Sequence, residues 1–294
     1  MGPKVIRLVA VMITAAATPQ FSAAQRLADW PIRTSAVPDV FITGSTAAFW
    51  NPAALSTGSY RVEAALLNLH TPQVLDLNAF AGAIAYRVEK TILAVAYQHV
   101  GFGDITVTED SPGDVGSQKL ELGENQFALA ASRQLGTTTT VGAIARYARD
   151  NLDGSEATLG LGAGFITQFN LPLQPRLGGN AISESDDVIW SAGLDLSVPL
   201  GSTDEYRAGL GYGVRSDIRL NGPIHQVGAQ FEWAGRASAS ASVLRTRDEA
   251  ETTWHPLLAA SLRLYRYQLA IARETLVADF GATWSFSLQV GIGP

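Results

Sequence analysis

The stretch "DFGATWSFSLQVGIG", Asp279–Gly293, decides the fold. Phe280, Ala282, Trp284, Phe286, Leu288, Val290 and Ile292 fall on one side of an extended chain. Asp279, Gly281, Thr283, Ser285, Ser287, Gln289 and Gly291 fall on the other. Alternation with period two marks a strand with two unlike faces. The run is longer than the five or six residues usual in soluble proteins, and it reaches the roughly 9–11 residues that a tilted strand needs to cross hydrocarbon.

The same pattern recurs in "EATLGLGAGFIT" (Glu156–Thr167), "DVIWSAGLDLSV" (Asp187–Val198) and "QVGAQFEW" (Gln226–Trp233). A soluble β-sandwich or solenoid also alternates, with its apolar side toward the core. Its wet face, however, normally carries Lys and Glu. Here that face is Gly, Ser, Ala and Gln, which suits a confined lumen. Aromatics stand near the strand ends (Tyr60, Tyr86, Tyr97, Tyr147, Trp190, Tyr206, Trp233, Tyr265, Trp284), as interface girdles do. The fold class expected is all-β: a closed antiparallel transmembrane β-barrel.

Composition agrees. Of 294 residues, 47% are hydrophobic and only 16% charged, against about a quarter charged in ordinary domains. Outside the N-terminus no run approaches the roughly 18 apolar residues of a membrane helix. Cys is absent, which removes disulfides, thiol nucleophiles and cysteine metal sites. A net charge of −6 argues against a nucleic-acid partner.

Residues 1–24 read as a signal peptide. Lys4 and Arg7 supply the basic start, "LVAVMITAAA" (Leu8–Ala17) the short apolar core, and Ser22-Ala23-Ala24 the small residues before a cut at Gln25. Residues 25–58 form an N-terminal segment and 59–294 the barrel, with the bacterial outer membrane as the expected location.

Thirteen runs fit the strand template, Lys119–Gln134 among them, and single-chain bacterial barrels have an even count. Loop lengths place the missing crossing between Gln168 and Asp186. The candidate is "FNLPLQPRLGG" (Phe169–Gly179), with Leu171, Leu173 and Pro175 alternating with Pro172 and Gln174. The total expected is about 14 strands.

The segment "TGSTAAFWNPAALSTG", Thr43–Gly58, is not a strand. Pro52 fixes its own φ and excludes Asn51 from the helical region, and Asn51 can bond a neighbouring backbone group. Phe49 and Trp50 can anchor the segment to the wall. The bland reading is a tight turn into the first strand. The functional one is an inward plug carried by Phe49, Trp50, Asn51, Pro52 and Ala53.

The motif Ala47-Ala48-Phe49-Trp50-Asn51-Pro52-Ala53-Ala54-Leu55, behind a signal and before a barrel of this length, resembles the FadL-type outer-membrane barrels and more closely the PorV/PorQ family. "GENQFALAASRQLGTTTTVGAIARYAR" (Gly123–Arg149) and "YQLAIARETLVADFGATWSFSLQVGIGP" (Tyr267–Pro294) are similar to further stretches of that family. The resemblance implies an N-terminal segment folded inward and an accessory role in type IX protein secretion or cargo docking. A FadL-like passive channel for hydrophobic molecules and a purely structural barrel remain alternatives.

No catalytic, cofactor-binding or metal-binding residues are expected. His70, His99, His225 and His255 lack metal-ligand spacing, and no GxSxG elbow is present. "GLGAG" and "GLGYG" sit within strands, so they fail the structural condition of a phosphate loop. The partners expected are outer-membrane lipid, the barrel-assembly machinery, and either secretion-complex proteins or a hydrophobic ligand.

Overall fold

The computed structural model describes residues 32–71, 77–102, 105–107, 118–120, 123–150, 157–184, 187–200, 205–216, 222–247, 252–275 and 282–293. The expected signal peptide and residues 25–31 lie outside the described residues.

The strands are β1 (Val62–His70), β2 (Leu77–Val88), β3 (Thr91–Phe102), β4 (Ile105–Val107), β5 (Gln118–Leu120), β6 (Gly123–Leu135), β7 (Thr139–Asp150) and β8 (Ala157–Gln168). They continue with β9 (Arg176–Glu184), β10 (Asp187–Leu200), β11 (Tyr206–Arg215), β12 (Ile224–Trp233), β13 (Ala237–Arg247), β14 (Thr252–Leu264), β15 (Tyr267–Thr275) and β16 (Ala282–Ile292). Fourteen of them form a closed antiparallel barrel in chain order, and β4 pairs with β5 as a separate small hairpin between β3 and β6. β1 closes the wall on β16, in register from Val62↔Ile292 to His70↔Trp284. Closure leaves no unpaired edge, which hydrocarbon would not tolerate.

Alternation sets the faces. On β16, Trp284, Phe286 and Leu288 are 39%, 45% and 38% exposed, while Thr283, Ser285 and Ser287 are buried. The apolar row therefore faces lipid and the hydroxyl row the lumen. Turns at the end carrying the start of β1 and the end of β16 are short. Two of them, at Glu89 and Tyr265, place a non-glycine residue at φ 54°, as tight hairpins between twisted strands demand. In bacterial barrels the short turns are periplasmic, which makes the opposite end extracellular.

Two expectations need correction. The fourteenth crossing exists, but it is Arg176–Glu184, not Phe169–Gly179. Residues 169–175 are a turn, in which the Phe169 N–H donates to the Pro175 carbonyl (2.9 Å). Pro172 and Pro175 have no N–H for a ladder, so the strand starts directly after the second proline. The run read as Lys119–Gln134 is divided: Gln118–Leu120 belongs to the small hairpin, and the barrel strand begins at Gly123.

Candidate functional site in the lumen

Residues 32–57 run inside the barrel as three short 3-10 turns, Asp39–Phe41, Ser45–Phe49 and Pro52–Ala54, joined by extended chain. Phe49, Trp50, Asn51, Pro52 and Ala53 are all buried. Asn51 is extended (φ −131°, ψ 109°), as the residue before a proline must be, and its side chain caps the turn that Pro52 opens. Its Oδ1 accepts from the Ala53 N–H (3.1 Å). Its Nδ2 donates to the Val40 carbonyl (3.0 Å) and to the Phe165 carbonyl on β8 (3.5 Å). One amide thus ties two turns of the segment to each other and to the wall.

The wall is shaped for this chain. On one side Phe49 and Trp50 pack into a cluster with alanines of β1–β3 and β6, among them Ala65, Ala81, Ala83, Ala94 and Ala128. On the other side inward glycines of β7–β12 let the segment's backbone approach. A Cβ on Gly142 would reach the Ala53 nitrogen at 2.5 Å, and one on Gly164 would collide with the Asn51 side-chain oxygen. On Gly193 it would meet Val40 at 2.7 Å, on Gly211 Pro38 at 2.8 Å, and on Gly228 the Ala36 carbonyl at 2.8 Å. Successive strands therefore carry a glycine track that holds residues 36–53.

Charges finish the seat. The carbonyl of Trp50 accepts from the Asn180 side chain on β9, and that of Phe49 from Arg146 on β7 (3.3 Å). Arg146 pairs with Glu184 at 3.0 Å, both buried. Arg33 pairs with Asp39 at 3.1 Å and lies over the Trp50 ring at 5.5 Å. It also approaches Glu274 on β15 at 3.9 Å, while Arg215 on β11 approaches Asp39 at 3.5 Å. The Ala36 N–H donates to Ser240 Oγ (3.2 Å), and Gln226 donates to the carbonyls of Ala36 and Val37.

The segment does not fill the lumen. Between it and the wall from β8 to β16 lies a cavity of about 350 Å³. Its lining is polar, with Gln168, Gln230, Gln268 and Gln289, serines of β13 and β14, and charges of both signs. Arg176 and Asp195 face each other across β9 and β10 at 2.7 Å.

The small lumen face expected from the sequence is present, but it also holds buried charge that the sequence reading left out. Arg176, Asn180 and Glu184 lie on β9, the strand that follows Pro175. The inward glycines stand out in the sequence only as part of a small lumen face. Their recurrence at every second residue of "GLGAG" and "GLGYG" was the available signal. Among the described residues no group of three His, Asp or Glu could hold a metal ion.

A closed antiparallel barrel with a lipid-facing apolar surface and an N-terminal segment in its lumen defines an outer-membrane barrel protein. Solved structures share the fold. The P. putida toluene transporter TodX matches with a TM-score of 0.55 at 10% identity over 88% of this chain and 96% of its own. The CymD monoaromatic hydrocarbon channel matches at 0.52 and 12% identity over 90% and 99%, and Omp33 of Acinetobacter baumannii at 0.51 and 10% over 79% and 98%. TodX and CymD are FadL-type barrels. No protein-family model matches the chain, and no curated protein sequence does.

Proposed function

We propose that the protein is a FadL-like passive channel that carries small hydrophobic molecules across the outer membrane, with residues 32–57 as the plug that restricts the lumen. The observation that carries this reading is the uneven filling of the barrel: one side is packed tight by the segment, and the other is left as a continuous cavity of about 350 Å³, the size range of small-ligand sites. TodX, a toluene transporter, and CymD, a monoaromatic hydrocarbon channel, lend the substrate class. On this reading the polar lining is the periplasmic end of the path, where a molecule leaves for water. The protein is assigned no enzymatic activity.

Uptake of toluene into proteoliposomes, with and without the protein, tests it. Acceleration supports the channel, and a rate equal to protein-free vesicles overturns it. The resemblance of residues 47–55 to the PorV/PorQ family supports a second reading, an accessory of type IX secretion. Its test is whether secretion-complex proteins co-purify with the native barrel.

A further inference from the structure

The outward face of β11–β14 changes character near the extracellular end. Along most of its height it is aliphatic: Val227, Val243 and Leu258 are exposed to lipid. One step further out stand His225, Arg245 and Arg247, with Trp254 beside them. The register makes them neighbours, because His225 pairs with Arg245, Arg245 with Trp254, and Arg247 with Thr252. The Arg245 guanidinium lies over the Trp254 ring at 6.0 Å, and the Tyr212 hydroxyl is 2.7 Å from His225 Nδ1. Trp254 is 63% exposed, so the pair sits on the membrane surface, not in the wall.

Glu124, Glu184 and Glu274, carboxylates of the described strands at this end, lie on the lumen side instead. None of these three carboxylates shares the outward face with Arg245 and Arg247; Arg146 and Arg215 stand with them on the lumen side. The arginine-on-tryptophan arrangement is repeated on the neighbouring wall, where Arg273 lies over Trp284 at 5.8 Å and Trp284 pairs with His70.

An arginine costs little at the edge of the hydrocarbon, and there it can meet the anionic head of a lipid with a charge-assisted hydrogen bond. A guanidinium stacked on an indole is fixed in plane and presents its N–H edge, which fits a phosphate bidentately. Two cationic side chains above an aliphatic surface match one kind of molecule: an amphiphile with a phosphorylated head and acyl chains.

We propose that this face of β11–β14 binds a phosphorylated glycolipid of the outer leaflet, with its phosphate on Arg245 and Arg247 and its acyl chains along Val227, Val243 and Leu258. The site is independent of what the lumen conducts.

Native mass spectrometry of the full chain in detergent tests it, with diphosphorylated lipid A and dephosphorylated lipid A as probes. The wild type should retain the diphosphorylated form and lose about tenfold or more in affinity for the other. R245Q/R247Q should lose a similar factor for the diphosphorylated form, and R266Q, at a periplasmic turn, should lose none. Equal binding of both lipids by the wild type overturns the proposal, and that arm needs no variant to fold. Unchanged lipid A binding by R245Q/R247Q also overturns it.

Discussion

Gly164 of β8 lies directly against Asn51: the side-chain oxygen of Asn51 stands where a Cβ on residue 164 would be. The barrel wall and the segment inside it are therefore built to one another. A removable stopper would not need glycines at matching positions on successive strands.

Gly164→Ala forces the Asn51 amide out of its seat. Overpacking of this kind costs about 1–3 kcal/mol, and it falls on the segment, because the β7–β8–β9 ladders do not depend on that hydrogen atom. Folded barrel should still migrate differently before and after boiling in detergent gels. Limited proteolysis should now cut between residues 32 and 57. Protection equal to wild type would show that the wall yields instead.

Asn51→Ala removes a cap and two donated bonds at once. Each lost bond leaves a buried carbonyl or N–H without its partner, at about 1–3 kcal/mol. The segment should loosen while insertion proceeds normally. Hydrogen exchange at Ala53 and Ala54 reads this directly, and faster exchange confined to residues 38–55 is the expected outcome.

Arg146 and Glu184 are both buried, so removing one charge strands the other. Arg146→Met alone should lower barrel stability in urea by about 3–5 kcal/mol, and the double variant R146M/E184L should recover much of that loss. Additive losses in the two single variants would mean that the pair is not coupled.

Trp50 is buried under Arg33, whereas Trp233 and Trp254 face the membrane. The difference spectrum between wild type and Trp50→Phe should show emission that aqueous acrylamide does not quench. Quenching at the rate of a free indole would place Trp50 in water.

Legibility followed the lipid face. β16 could be read at once because every outward residue from Ala282 to Ile292 is apolar. β9 could not: its outward residues Leu177, Gly179, Ala181 and Ser183 are barely apolar, and its inward ones answer to the segment, not to a period. Parity demanded the strand, but prolines drew the reading seven residues too early. The Phe-Trp-Asn-Pro-Ala motif was visible because proline and asparagine carry local conformational meaning. Its partners were not, because Gly142, Gly164 and Asn180 become neighbours of the motif only after the barrel closes.

The absence of native cysteine allows a clean test of the central claim, that residues 32–57 lie inside the barrel along the glycine track. Ala36→Cys and Ser240→Cys, introduced together, put a thiol on each side of the contact between the Ala36 N–H and Ser240 Oγ (3.2 Å). Oxidation of the protein in outer-membrane vesicles should join them in most molecules and shift the boiled, non-reduced band. Two free thiols in a barrel that still shows heat-dependent migration would contradict the account.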